Sequence, residues 1–192
     1  VIEDTACTYG ELATCVQKIS SLFKDREDKI IGIVAENRLE TYASILSALI
    51  CGKTYVILHP SYPKHRNDRI ADSAGIRLVL HTKNIHVLNL DTRNLELICT
   101  SEIEQAENSA TFHAAEDILH TAEEENAYII FTSGSTGEPK GVPISRRNLN
   151  AFYTAYHRLG WQLDENDRML QMFELTFDVS IVSFLYPLTL GA

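Results

Sequence analysis

An α/β fold, a layered parallel sheet flanked by helices, is predicted by three observations. Short apolar runs rich in β-branched residues alternate with stretches of helical periodicity. The helical stretches between runs are about ten to fifteen residues long, the spacing of βαβ units. The runs themselves, such as "KIIGIVAE" and "TYVIL", are continuously apolar, which suits parallel strands buried on both faces.

Each element has its own signal. In "TYGELATCVQKISSLF", Thr8 is expected to cap a helix while Glu11 reaches back, and Leu12, Val16, Ile19 and Phe23 recur at helical spacing. "KIIGIVAE" follows as a strand. Asn37 and Glu40 repeat the capping spacing ahead of the stripe Tyr42, Ile45, Leu46 and Leu49, and Gly52 stands where a helix end favours a left-handed residue. "TYVIL" is the next strand. "PKHRNDRIADSAG" reads as a helix with Pro63 in its first turn and Gly75 at its end, and "IRLVL" as a strand. "ELICT" is a candidate short strand. The polar, acidic "SEIEQAENSATFHAAEDILHTAEEEN" reads as a connection with a helical turn or two and a solvated charge run. Order returns with the strand "AYIIF", a glycine-rich loop and the extended "VPI". Ser145 is placed to cap a helix carrying Leu149, Phe152, Tyr153 and Tyr156, with the two tyrosines expected in the core. "RMLQMF" is predicted to be a further strand, and "DVSIVSFLYPLTL" a last helix bent or interrupted at Pro187.

Composition narrows the function classes. The 192 residues carry 17 basic and 26 acidic side chains, a net charge of −9. That argues against nucleic acid or an anionic membrane as a partner, because phosphate contacts need clustered Lys and Arg. No apolar run approaches membrane-spanning length, and the sequence does not open on a signal peptide. Cys7, Cys15, Cys51 and Cys99 show no C-x-x-C spacing and read as reduced thiols of a cytoplasmic protein. His81 with His86, and His113 with His120, fit no helical metal pair, so no metal-ligand set is expected and surface histidines are the simpler reading. Arg66 and Arg69 read as exposed helix charges. Because the sequence opens on Val1 and stops at "LTLGA", residues 1–192 are expected to be a fragment of a longer protein.

The loop "FTSGSTGEPKG", residues 131–141, holds three glycines, four hydroxyls and Lys140. Glycines let backbone N–H groups approach a ligand, hydroxyls add short donors, and a lysine adds a point charge. A concavity of such donors is an anion site, with polyphosphate as its natural guest. It is neither a Walker A loop, because Lys140 lies between Pro139 and Gly141, nor the dinucleotide G-x-G-x-x-G. The bland alternative is a Gly/Ser turn that joins two strands.

"YIIFTSGSTGEPKGV" resembles the signature loop of the adenylate-forming superfamily, which includes acyl-CoA synthetases, luciferases and the adenylation domains of nonribosomal peptide synthetases. "TYGEL", "CGKTYVILHPSYPKHRNDRIADSAGIRLVL" and "FELTFDVS" resemble further family segments in the family's order. They cover nearly the whole chain, leaving only the acidic connection unmatched. His59 departs from the Asp usual in the amino-acid branch. The resemblance implies that residues 1–192 are a partial N-terminal domain, with the rest of that domain and a small C-terminal domain outside the chain. It implies ATP and Mg²⁺, with Thr132, Ser133, Gly134, Ser135, Thr136, Gly137 and Lys140 at the β- and γ-phosphates. Lys140 and Thr136 are the residues expected to serve catalysis. The reaction implied is attack by a carboxylate on the α-phosphate, followed by transfer to a carrier-protein phosphopantetheine thiol.

In amino-acid-activating relatives the Asp of the Phe-Asp-x-Ser motif pairs with the substrate's α-ammonium group, a role that falls here on Asp178. The competing reading is that Asp178 caps the last helix. Phe177 either lines the same pocket or belongs to the core. The resemblance is to peptide-synthetase adenylation domains and D-alanine–carrier-protein ligases, and the likeness of "AYIIFTSGSTGEPKGV" and "FDVS" inclines the expected substrate to D-alanine. The fragment alone is expected to bind ATP weakly and turn over nothing. A carboxylate–CoA ligase and a non-catalytic nucleotide-binding module are the rival functions.

Overall fold

The computed structural model describes residues 2, 5–82, 89–103, 123–133 and 138–192. Among them the predicted alternation appears in order: α1 (Tyr9–Ser21), β1 (Ile30–Val34), α2 (Leu39–Ile50), β2 (Thr54–Leu58), α3 (Lys64–Ala74), β3 (Leu78–His81), β4 (Glu96–Cys99), β5 (Asn126–Ser133), β6 (Pro139–Ser145), α4 (Arg146–His157) and α5 (Val179–Leu190). The strands lie in the order β4-β3-β1-β2-β5-β6. All neighbours are parallel except β6, which runs antiparallel to β5 at the sheet edge.

Period-two alternation explains the layers. Ile31, Ile33, Tyr55, Ile57, Leu78 and Leu80 point to one face and pack with α1, α2, α4 and α5. Val34, Val56, Leu58 and Val79 point to the other and pack with Ile70, Ala71 and Ile76, in and just after α3. The central strands are therefore covered on both faces, which is why they read as continuous apolar runs. On the first face Ala43, Ser47 and Ala48 of α2 are fully buried, and the Ser47 hydroxyl donates to the Val16 carbonyl of α1 at 3.0 Å.

Local signals hold at several ends. Thr8 and Glu11 form the reciprocal capping box, Ser145 forms one with Asn148, and Gly52 and Gly75 take positive φ at helix ends. Elsewhere the structure corrects the expectation. The residue at the N-cap of α2 is Arg38, with no side-chain cap, and Asn37 sits one position too early; its amide oxygen accepts from the Tyr42 hydroxyl at 3.3 Å. "RMLQMF" forms no strand. Among the described residues no strand pairs with it, and Leu170 and Met172 are 74% and 72% exposed. An apolar run without a ladder partner has nothing to satisfy its backbone groups in a strand. The helix α5 is not interrupted at Pro187 but runs on to Leu190: the ring removes the one N–H that would reach the Ser183 carbonyl, and the Pro187 carbonyl still accepts from the helix end. Tyr153 and Tyr156 are half-buried rather than fully in the core; Tyr153 stacks on the buried Tyr186 and Tyr156 meets the same ring edge-on. Among the described residues no helix is long and apolar enough to cross a membrane. The acidic connection lies largely outside the described residues, as do His86, His113 and His120.

Candidate functional site

The glycine-rich loop sits at the tip of the β5–β6 hairpin. Its register pairs Phe131 with Gly141, Thr132 with Lys140 and Ser133 with Pro139. Gly141 is required by close approach: a Cβ there would lie 3.0 Å from Phe131 Cζ and 3.1 Å from Ile129 Cγ2. Without that Cβ, both side chains lie over β6 and the hairpin stays in contact with the sheet. Thr132 and Ser133 are exposed, and the Thr132 hydroxyl makes only a long 3.5 Å contact to the Lys140 carbonyl. Lys140 is exposed, and among the described residues its ammonium has no ion-pair partner. Two hydroxyls and one cation thus project from adjacent strand ends. Gly134, Ser135, Thr136 and Gly137 lie outside the described residues.

The hairpin stands beside α3, which is anchored to the end of β2. Asn67, fully buried, donates to the His59 carbonyl at 3.0 Å and the Asn89 carbonyl at 3.2 Å. His59 fills the place of the expected Asp in a specific way: its Nδ1 accepts from the Ser61 N–H at 3.2 Å, the turn contact that an Asp carboxylate makes two residues on. The Arg66 guanidinium lies 4.4 Å above the Tyr62 ring, and Arg69 forms an ion pair with Glu138 of the loop at 2.5 Å. Arg69 is exposed on its helix as the sequence predicts, though paired, whereas Arg66 is half-buried. No sequence pattern signals the second pairing, because β3, β4, β5 and the whole acidic connection separate its partners.

Asp178 occupies the N-cap position of α5 but in helical backbone conformation, φ −61° and ψ −31°, with no side-chain capping bond. Its exposed carboxylate is therefore not spent on the helix end. It lies close enough to Tyr128 to act on it: burial, and then the Asp178 charge, push the Tyr128 phenol up to about 12. Phe177 is 56% exposed, which removes the core reading for it. A narrow cleft at the hairpin root is lined by Tyr55, Tyr62, Ile130, Phe131, Leu175, Thr176 and, from α5, Ile181, and neither Asp178 nor the hairpin-tip residues Thr132, Ser133 and Lys140 line it. His81 is buried at the end of β3, its Nδ1 without a hydrogen bond, and burial lowers its pKa. Among the described residues no group of three His, Cys, Asp or Glu is placed to hold a metal ion, and the four cysteines are free.

A family profile described as "AMP-binding enzyme" matches residues 1–192. Gramicidin S synthase 2 of Aneurinibacillus migulanus is 31% identical over 187 residues, covering 93% of this chain and 4% of the relative. The crystal structure of the nonribosomal peptide synthetase FmoA3 in its alpha-methyl-L-serine-AMP bound form superposes with a TM-score of 0.84 at 26% identity, over 100% of this chain and 21% of that one. Its AMPPNP bound form gives a TM-score of 0.81, also at 26% identity, over 100% of this chain and 20% of that one. The chain thus spans less than a quarter of the length of each of these relatives.

Proposed function

This chain belongs to the AMP-binding enzyme family, and we propose that residues 1–192 act as part of a larger adenylation unit that activates an amino acid as its aminoacyl-AMP. The observation that carries the reading is an exposed hairpin tip bearing Thr132, Ser133 and Lys140, together with an Asp178 carboxylate that makes no capping bond and acts on Tyr128 of β5 in the same hairpin. Thr132, Ser133 and Lys140 offer two donors and a positive charge to the β- and γ-phosphates of ATP. Asp178, free of any capping duty, offers its charge to the substrate ammonium. The family profile and the peptide-synthetase relatives support the same reading.

The chemistry needs no protein nucleophile. The substrate carboxylate attacks the α-phosphorus, a new carboxyl O–P bond forms, the bond to the bridging oxygen breaks, and pyrophosphate leaves with its electron pair. The protein's work is to hold two anions in line and offset the charge that builds on the leaving group. Lys140 does this from β6, with Thr136 of the loop as its proposed catalytic companion and Ser135, Gly134 and Gly137 lending further donors. Mg²⁺ is proposed to arrive on the ATP phosphates, held mainly by their oxygens and by water, as that ion commonly is. Attack on the aminoacyl-AMP by a carrier-protein phosphopantetheine thiol then forms the thioester and releases AMP. D-alanine is the finer proposal for the substrate, carried by the likeness of "AYIIFTSGSTGEPKGV" and "FDVS" to the D-alanine ligases.

Two variants of the full-length protein test the assignment in one pyrophosphate-exchange assay. Lys140→Ala is expected to lower kcat/KM for ATP about 10- to 100-fold, the effect of losing one charged contact to phosphate. Asp178→Asn is expected to lower kcat/KM for the amino acid at least about thirtyfold, the effect of truncating one side of a desolvated charge pair. An Asp178→Asn enzyme as active as the wild type would place the protein among the carboxylate–CoA ligases instead.

A further inference from the structure

We propose that Arg69 is a positioning residue for the phosphate-binding hairpin, acting by neutralising Glu138; the inference rests on the reading of that hairpin as a polyphosphate site. Glu138 is the one acid in "FTSGSTGEPKG", and a carboxylate there opposes the very guest that the hydroxyls and Lys140 attract. The structure shows what offsets it. Arg69 Nη1 meets Glu138 Oε2 at 2.5 Å, reaching across from α3.

Glu138 precedes Pro139, whose φ is fixed by its ring, and Lys140 follows directly. The ion pair therefore leaves a neutralised carboxylate, rather than a bare negative charge, two residues from Lys140. The holding side is firm: Ile70, next to Arg69, is 1% exposed and packs in the same cluster as Ile129 and Phe131 of the hairpin, and Asn67 ties the helix to the end of β2. Arg69 is thus the charged edge of a surface that already supports the hairpin through apolar contact. Its side chain is 58% exposed and that of Glu138 51%, so the pair does little for the stability of the fold. Its consequence lies in which charges face the ligand.

The test is calorimetric binding of AMP-PNP to the full-length protein, with pyrophosphate exchange measured on the same samples. Arg69→Ala is expected to raise the Kd about threefold to tenfold, with less effect at high salt because exposed charges are screened. Adding Glu138→Ala to it is expected to restore the Kd to within about twofold, and the exchanged pair Arg69→Glu with Glu138→Arg to bind better than Arg69→Glu alone. A structural role would lower the melting temperature and would not be rescued by removing the acid. An unchanged Kd in Arg69→Ala, or a loss that Glu138→Ala does not repair, overturns the proposal. Wild-type protein that binds no AMP-PNP overturns it together with the functional reading. Wild type that binds but exchanges pyrophosphate with no acid overturns only amino-acid activation, and the binding series still decides the role of Arg69.

Discussion

Asp178 stands at the N-cap position of α5 and caps nothing. Sequence could not settle this, because capping and ligand recognition ask for the same residue at the same place. The backbone adds one fact: at φ −61° and ψ −31° the side chain makes no capping hydrogen bond, and its charge acts on Tyr128. A direct check is the Tyr128 phenol, held up first by burial and then by the Asp178 charge. Asp178→Asn removes the second cause, so the phenol should titrate at lower pH than in wild type by ultraviolet absorbance. No change in its titration would mean that Asp178 does not face that ring. The hydroxyls and Lys140 were legible because their chemistry is compressed into eleven consecutive residues. Arg69 was not, since an arginine on a polar helix face looks the same whether its partner is water or Glu138.

At the scale of elements, legibility depended on whether the signal was local. Thr8 and Ser145 were readable because both halves of a capping box lie three residues apart. "RMLQMF" misled because apolar content in a short run marks a strand only when a neighbour supplies the ladder. The stripe read for α2 was partly misplaced for another reason. Ile45 is fully buried as expected, but Tyr42, Leu46 and Leu49 are only half-buried, while the small Ala43, Ser44, Ser47 and Ala48 are fully buried and Ser47 meets the Val16 carbonyl of α1. Small residues carry little weight in a hydrophobic pattern, yet they set how closely two helices pack. Ala48→Leu should therefore destabilise the protein by about 1–3 kcal/mol through overpacking. Denaturant unfolding measures this directly; a variant as stable as wild type would mean that the core around Ala48 has room to spare.

For the whole molecule, the parallel core was legible and the completion of the site was not. Five strands in an α/β order follow from alternating runs, whereas the meeting of β5, β6 and the start of α5 is a matter of tertiary placement. The core also sets a pH limit. Burial raises the pKa of Tyr55, Tyr128 and Tyr153, with Tyr128 at about 12. A raised phenol pKa means that the folded state keeps its proton when the unfolded chain has lost it, so the unfolded state binds fewer protons. Stability is then fully present below the ordinary tyrosine pKa of about 10 and falls as pH rises toward 12, by about 1.4 kcal/mol per pH unit for each such ring. Denaturation midpoints measured across that range should decline steadily; a flat profile would show that these phenols ionise as freely as exposed ones.

The central claim concerns chemistry, and ATP–pyrophosphate exchange by the full-length protein tests it most directly. The panel is L- and D-amino acids, D-alanine among them, with fatty and aryl acids beside them. Exchange is expected with one amino acid or a few close analogues, and none with acids that lack an amino group. Exchange driven only by acids without that group would contradict the role of Asp178, and no exchange with any acid would contradict adenylation itself.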